Sequence, residues 1–173
     1  MSPRAKSSRL AVIVSVAALV PAFSSGQDTD PGPATIFVGG AAALDITRAL
    51  RGALRKLQDP TCQQLLDDFT DRGGRPLREN LGASTPDAYL ARLTLRDGEI
   101  PRGSRHCASS GAAAFTVDGA AVFVCGTAFH TLGPGTRANA LIHEMLHTLG
   151  LRENPPSSAE ITRRVAEHCG GAR

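Results

Sequence analysis

Residues 136–149 constrain the fold more than any other part of the chain, because their pattern requires a helix with two chemically different faces. On a helical wheel at about 100° per residue, the apolar side chains fall on one side. These side chains are Ala138, Leu141, Ile142, Met145, Leu146 and Leu149. Thr136 is a candidate N-cap, and Gly150 is the expected left-handed stop. The pattern predicts a helix that packs on the protein core along one side.

The opposite side of this predicted helix carries His143, Glu144 and His147. Histidines four residues apart project from one helix face about one turn apart, so both imidazoles can reach one zinc ion at about 2.0–2.1 Å. Glu144, one position round the helix, can accept a proton from water without binding the metal itself. The spacing therefore predicts a Zn²⁺ site with His143 and His147 as ligands and Glu144 as the catalytic residue.

Two simpler interpretations stay open. The two histidines could be ordinary core or surface residues, although their position opposite the apolar stripe argues against this. The chain could also bind a metal without catalysing a reaction, although a structural site would not require a base at Glu144. The other histidines, His106, His130 and His168, are scattered singly, which is typical of surface or hydrogen-bonded residues.

Residues 143–150 resemble the active-site helix of zincin metallopeptidases. The glycine three residues after the second histidine is similar to the metzincin arrangement. The resemblance implies an α+β fold in which a short twisted antiparallel sheet packs on helices, one of which is the active-site helix. It also implies zinc-dependent hydrolysis of peptide bonds, but it covers too short a stretch to imply a particular substrate.

The third protein ligand of the metal departs from the metzincin pattern. Metzincins use a histidine three residues beyond the glycine, and Glu153 holds that position in this chain. Two histidines and a glutamate are nevertheless a known catalytic zinc set. Glu160 is the alternative, because gluzincins take a glutamate from the next helix, although Glu160 also forms a capping box with Ser157. We expect Glu153, because the turn at Gly150 sends the chain back toward the metal face.

Residues 1–26 are predicted to be a signal peptide, because a basic start precedes an apolar run at residues 10–20 and a group of small residues. That run is shorter than the roughly 20 residues of a membrane helix, so an uncleaved anchor is the weaker alternative. Removing Arg4, Lys6 and Arg9 with the leader would balance the remaining bases against the 16 acidic side chains. This balance argues against nucleic acid or an anionic membrane as the main partner.

Export makes two disulfides the preferred interpretation of the four cysteines, because the sequence has none of the CxxC pairs that structural zinc sites usually contain. Three pairings are possible, and spacing alone does not choose among them. The order along the chain favours Cys125 with Cys169, joining the sheet to the last helix. Cys62 would then pair with Cys107, joining an early helix to the loop before the predicted hairpin.

Residues 27–35 are polar and are expected to form a flexible lead-in, followed by one zincin-like domain over residues 36–173. Apolar residues at helical spacing predict a helix that stops before Asp59. Asp59 and Pro60 are then expected to begin a second helix that carries Cys62, Leu65, Leu66 and Phe69. Thr85 and Pro86 open a further short helix.

Residues 93–95 alternate in the manner of a strand, and residues 101–111 are expected to form a loop that holds His106 and Cys107. The clearest strands are residues 113–117 and 120–125. Asp118-Gly119 lies between them and is a favoured two-residue turn, because both turn positions must tolerate a positive φ. The pattern predicts a small antiparallel sheet beside the helix of residues 136–149.

The sequence therefore predicts a secreted or periplasmic zinc metallopeptidase that acts on a peptide or protein substrate. Glu144 would take the proton of a water molecule and return it to the leaving amine. The alternative from another class is a secreted, non-catalytic zinc-binding or interaction module, which a closed shell of four ligands would favour. A narrower cleft over the same site would suit a small amide or a peptidoglycan stem peptide.

Overall fold

A computed structural model of the chain describes residues 34–100, 104–117, 119 and 121–171. The predicted signal peptide lies outside these residues, as does the predicted lead-in apart from its last two residues. In the described part, the first strand begins at Thr35, one residue before the predicted start of the domain.

The described residues form an α+β structure, as predicted. The strands are β1 (Thr35–Phe37), β2 (Thr94–Asp97), β3 (Ala114–Val117) and β4 (Ala121–Val124). The α-helices are α1 (Gly40–Leu57), α2 (Pro60–Gln63), α3 (Leu65–Asp68), α4 (Pro86–Leu90), α5 (Ser104–Ser110), α6 (Gly126–Thr131), α7 (Pro134–Thr148) and α8 (Ser158–Cys169). A 3₁₀ helix spans Leu77–Leu81. Within these ranges, no helix combines the length and apolar composition that a bilayer crossing requires.

The four strands form one mixed sheet in the order β1-β2-β4-β3. The β3–β4 pair is antiparallel with Phe115 opposite Phe123, which confirms the predicted hairpin. The β1–β2 and β2–β4 pairs are parallel, whereas the sequence predicted an antiparallel sheet. The difference arises because helices lie on both connections, and a long crossover returns the chain in the same direction. Gly119 has φ +69°, as the predicted turn requires, and Asp118 lies outside the described residues.

Helix α7 is the central element of the fold. It packs against α1 and α8 and also contacts β3 and β4 of the sheet. All six residues of its predicted apolar stripe are buried. The contact with α1 is close at Gly52, where a Cβ atom would lie 3.3 Å from the Cβ of Ala138. The apolar face of α7 therefore organises the core, and the remaining face is left for other contacts.

Most of the predicted helix starts are confirmed. The Asp59 carboxylate accepts a hydrogen bond from the Thr61 N–H at 2.8 Å, with Pro60 as the first residue of α2. Thr85 caps α4 in the same way. The start of α7 is different, because Gly133 occupies the cap position that Thr136 was expected to fill. Proline at the first helical position has its φ already set for a helix, so α7 begins at Pro134.

Two segments differ from the sequence prediction. The single helix expected to follow Asp59 is divided at Gln64 into α2 and α3. Residues 101–111 were expected to form a loop, but they contain α5. The sequence of α5 has no apolar stripe, so its pattern did not predict a helix. The Ser110 hydroxyl donates to the His106 carbonyl at 2.7 Å near the end of α5, and Gly111 follows in a left-handed conformation with φ +63°.

The two disulfides are Cys62–Cys169 and Cys107–Cys125, so both predicted pairings are wrong. Helix α8 packs on α2 and α3, which brings the Cα atoms of Cys62 and Cys169 to 4.6 Å from each other. The second disulfide ties α5 to the end of β4. Order along the chain was a poor guide, because the last helix returns to the beginning of the fold rather than to the sheet.

Candidate metal centre

Three donor atoms converge at the end of α7. The Nε2 atoms of His143 and His147 are 3.1 Å apart. The Oε1 atom of Glu153 lies 3.9 Å from the first of these nitrogens and 3.5 Å from the second. A tetrahedral zinc ion with ligands at about 2.0–2.1 Å places its ligand atoms about 3.3–3.4 Å from each other. The three donors are of the types that zinc binds, and their separations lie within about 0.5 Å of this spacing, so the group could hold a metal ion.

The turn after α7 brings Glu153 to the histidines. Gly150 has φ +102°, and its N–H donates to the His147 carbonyl at 3.0 Å. The next N–H, that of Leu151, donates to the Leu146 carbonyl at 3.1 Å. These two bonds form a Schellman motif, which satisfies the last helix carbonyls and reverses the chain. A glycine is required in this turn because the conformation is left-handed and a Cβ atom would lie 3.3 Å from the Asp71 Cβ.

Hydrogen bonds at the far side of each ring orient the two histidines. His147 Nδ1 lies 2.9 Å from the Leu151 carbonyl, which can only accept, so Nδ1 carries the proton. His143 Nδ1 lies 3.1 Å from the hydroxyl oxygen of Thr162 on α8. Partners of this kind hold metal-binding imidazoles in one tautomer and orientation. Both Nε2 atoms consequently face the same point beside Glu153.

His143 is in the form that binds metals. Burial lowers the pKa of its imidazole to about 4, and the neighbouring His147 adds to the shift. The ring is therefore neutral at pH 7, with a lone pair on one nitrogen.

Glu144 is buried beside this group, with only 6% of its surface exposed. Its Oε2 atom accepts a hydrogen bond of 2.8 Å from the Thr116 hydroxyl on β3. Burial raises the pKa of the Glu144 carboxyl, and the hydrogen bond from Thr116 opposes this rise. The carboxylate is fixed by the sheet while its helix supplies the two histidines, so one element carries both the candidate ligands and the candidate base.

The group lines a cleft of about 770 Å³. The other walls come from α5, β3, the turn after α7 and the segment around Arg72. Lining residues outside the donor group include His106, Ser110, Ala114, Phe115, Thr116 and Arg152. The cleft leaves room for a molecule much larger than a metal ion beside the candidate ligands.

Glu160, the alternative third ligand, lies outside the donor group. The donor group in the described part of the chain consists of His143, His147 and Glu153. The Glu160 N–H donates to the Ser157 hydroxyl at 3.2 Å, as the capping box predicts. Its carboxylate is exposed and lies 4.0 Å from Arg164. The geometry favours Glu153, whose role as a ligand stays a prediction.

The three single histidines have separate surroundings. His106 lines the cleft and packs against Phe115 with the two rings tilted by 45° and their centroids 4.2 Å apart. His130 Nδ1 lies 2.6 Å from the Asp45 carboxylate. His168 Nε2 lies 3.3 Å from Asp68. None of them belongs to the donor group, in agreement with the sequence interpretation.

Sequence reasoning missed the two threonines that hold the site. Alternate residues of a strand point to the same side of a sheet, so Thr116 lies on the same side of β3 as the buried Ala114. This signal could have been read from the sequence. Thr162 follows the buried Ile161 on a helix that begins ten residues after α7 ends. No local spacing links Thr162 to His143, so only the packing of α8 on α7 reveals the contact.

Comparisons of the chain with protein-family models, with curated proteins and with solved structures found no match. The function of the protein must therefore be inferred from the chemistry of its own site.

Proposed function

We propose that this protein is an exported zinc-dependent metallopeptidase in which Glu144 is the general base. The observation that carries the proposal is the convergence of His143, His147 and Glu153, with donor atoms within 4.8 Å of one another, beside a buried carboxylate on the same helix. The resemblance of residues 143–150 to the zincin active-site helix supports the same activity.

His143, His147 and Glu153 would hold the metal. When bound, zinc supplies Lewis-acid activation of a substrate carbonyl and of a water molecule. Three protein ligands are typical of catalytic zinc, whereas a structural site is closed by four. In the described residues, the donor group has three members. This number favours an enzyme over the alternative of a non-catalytic zinc-binding module.

Glu144 would move the protons of the reaction. It takes a proton from the attacking water as the water oxygen bonds to the peptide carbonyl carbon. It then gives that proton to the peptide nitrogen as the C–N bond breaks, so the products are a carboxylic acid and an amine. The Thr116 hydroxyl holds the carboxylate in place at 2.8 Å, which limits the orientations that Glu144 can adopt during both transfers.

Export forms the second part of the proposal. The four cysteines form two disulfides in the described structure. Disulfides persist in secreted and periplasmic proteins and are rare in the cytosol. Together with the leader sequence at residues 1–26, they support a secreted or periplasmic location.

The test is a pair of glutamate substitutions in the purified, disulfide-bonded protein. Zinc content is measured by mass spectrometry, and hydrolysis is measured on casein and on a mixed peptide library. Glu144→Gln is expected to keep the zinc and lose about 10²–10⁴-fold in hydrolysis, because a general base contributes that much. Glu160→Gln is the matched control, since Glu160 lies outside the donor group.

Two results would contradict the proposal. Hydrolysis by Glu144→Gln at the wild-type rate would remove Glu144 from the mechanism. A wild-type protein that contains one zinc ion but hydrolyses no peptide of the library would favour the non-catalytic module.

A further inference from the structure

Two exposed arginines, Arg72 and Arg152, line the cleft. Both also line an adjoining cavity of about 350 Å³. Glu153 lines the two spaces as well, so the arginines lie where the cleft passes the candidate metal ligands.

The acidic residues next to these arginines are engaged with other partners. Asp71 pairs with Arg75 at 2.7 Å, and Glu153 faces the Nε2 atoms of the two histidines. Among the described residues, neither Arg72 nor Arg152 has an ion-pair partner within 4.0 Å. The cleft therefore presents two guanidinium groups whose charge is free to meet a ligand.

The backbone beside Arg72 is firmly held. The Asp71 carboxylate accepts hydrogen bonds from the N–H groups of Gly73 and Arg75 at 2.7 and 3.1 Å. The Asn80 side-chain amide donates to Asp71 at 3.1 Å and to the Leu149 carbonyl at 2.9 Å. The turn that carries Arg72 is thus attached to the end of α7, in a fixed relation to the candidate metal ligands.

The backbone beside Arg152 is held by α7. The preceding residue, Leu151, donates its N–H to the Leu146 carbonyl, and its own carbonyl lies 2.9 Å from His147 Nδ1. Glu153 follows Arg152 directly. Both arginines consequently start from backbone that is anchored to the active-site helix, and binding would need to order little more than their side chains.

Building on the proposed function, we propose that Arg72 and Arg152 form a subsite for a carboxylate of the peptide substrate. A guanidinium group presents a planar fork of donors that matches a carboxylate with two parallel hydrogen bonds. The carboxylate belongs either to an acidic side chain or to the free C-terminus of the peptide. Substrates whose carboxylate reaches these two arginines are then bound in preference to their neutral counterparts.

The test uses direct binding, so that it does not depend on hydrolysis. Zinc-loaded Glu144→Gln protein is immobilised and exposed to pools of pentapeptides built from neutral residues. Each peptide is present as a neutral glutamine-containing amide, as the corresponding glutamate-containing amide, and as the glutamine-containing free acid. The retained forms are quantified by mass spectrometry. We expect at least one anionic form to be enriched about tenfold over the neutral form, as charge-assisted hydrogen bonds allow.

Matched variants assign the enrichment to the two arginines. Adding Arg72→Gln and Arg152→Gln should bring the enrichment close to one. Adding Arg51→Gln and Arg55→Gln instead removes the same charge from exposed positions of α1 and should leave the enrichment unchanged. A third variant with Arg72→Glu and Arg152→Glu should prefer lysine-containing peptides, which guards against simple loss of the site.

Each outcome decides the proposal. Enrichment of the glutamate amides identifies a side-chain carboxylate, and enrichment of the free acids identifies the C-terminus. Equal retention of all forms, or enrichment that survives Arg72→Gln with Arg152→Gln, overturns the subsite. If wild-type protein hydrolyses none of the pool peptides while the enrichment and its loss are observed, the peptidase proposal fails and the carboxylate subsite stands.

Discussion

Among the described residues, the clusters around Glu153 and Asp45 both pair histidine with a carboxylate, and they differ in what else each carboxylate contacts. At the end of α7, the Glu153 carboxylate faces His143 and His147. On α1, the Asp45 carboxylate lies 2.6 Å from His130 and 2.7 Å from Arg137, with Arg48 at 4.0 Å. The first cluster has several donors that converge on one point. The second already contains its own cation.

The difference shows which histidine-acid contacts indicate a metal site. Arg137 is permanently charged and satisfies Asp45, so a metal ion would have to displace an ion pair. Arg137 also donates to the carbonyls of Phe129 and His130, which makes the cluster a structural link between α1, α6 and α7. At the α7 site, two imidazole nitrogens and a carboxylate oxygen converge, and no described guanidinium group pairs with them. Convergence of several donor atoms, rather than a single close contact, is the distinguishing feature.

The largest effect expected from this comparison is loss of zinc on removal of a histidine at the α7 site. His147→Ala removes one of three ligands, and His143→Ala should behave alike. Zinc bound after dialysis should fall below detection in both variants. The measurement is metal analysis of the purified protein, with circular dichroism to confirm that the variants fold. His130→Ala is the matched control. Loss of zinc in that variant would contradict the conclusion that the cluster around Asp45 is not a metal site.

The next effect concerns the two glutamates proposed for the third position. Substitution of a residue that only supports a ligand lowers metal affinity by up to ~100-fold. Glu153→Ala removes a proposed direct ligand, so it should lower zinc affinity by more than this. Glu160→Ala should leave zinc affinity unchanged. Competition with a fluorescent chelator gives both affinities. Retention of zinc by Glu153→Ala and its loss from Glu160→Ala would make the site gluzincin-like.

A smaller effect is expected at Thr162, which touches His143 but not the metal position. Thr162→Val keeps the side-chain volume and removes the hydrogen-bond partner of His143 Nδ1, so zinc affinity should fall about 10–100-fold. Thr162→Ser retains the hydroxyl and should restore most of the affinity. Equal affinity of the valine and serine variants would show that Thr162 only fills space.

The smallest effect on zinc affinity is expected for substitution of Asp45. This substitution should instead change how the free energy of unfolding depends on pH. The hydrogen bond with His130 and the charge of Arg137 hold the Asp45 pKa below its ordinary value, against an opposing contribution of burial. A lowered folded-state pKa stabilises the fold above the ordinary value of about 3.9, and this contribution is lost as pH falls through the folded-state pKa. Asp45→Asn should therefore have a lower free energy of unfolding than wild type at pH 6, and the two should converge toward pH 3.

Urea denaturation at the two pH values measures this difference. If the difference in the free energy of unfolding between wild type and Asp45→Asn is the same at both pH values, ionisation of Asp45 does not contribute to the stability of the fold. Zinc affinity at pH 7 should be the same in both proteins, and a marked decrease in Asp45→Asn would contradict the separation of the two clusters.

The fold was predictable where local pattern and tertiary contact agree. The apolar stripe of α7 identified its buried face, and Asp118-Gly119 identified the β3–β4 hairpin. The parallel pairing of β1 and β2 was not predictable, because strand direction depends on how the intervening helices cross the sheet. Helix α5 was missed because it lacks an apolar stripe and is anchored by the disulfide Cys107–Cys125.

The candidate site divides in the same way. His143, Glu144 and His147 follow from spacing along one helix, and Gly150 followed by Glu153 favoured the third donor over Glu160. The Cys62–Cys169 pairing and the contact between Thr162 and His143 depend on where α8 returns, which chain order does not encode.

Helical spacing along residues 136–149 is enough to identify which face of α7 is apolar and which carries the candidate ligands and base, because residues three and four positions apart lie on one face. The tertiary structure places Glu153 within 3.9 Å of both histidine Nε2 atoms, while the Glu160 carboxylate lies nearest Arg164. It also decided that Thr116 and Thr162 support the site and that Arg72 lies beside it. These contacts join distant parts of the chain, and their existence depends on packing of the elements against one another rather than on local spacing.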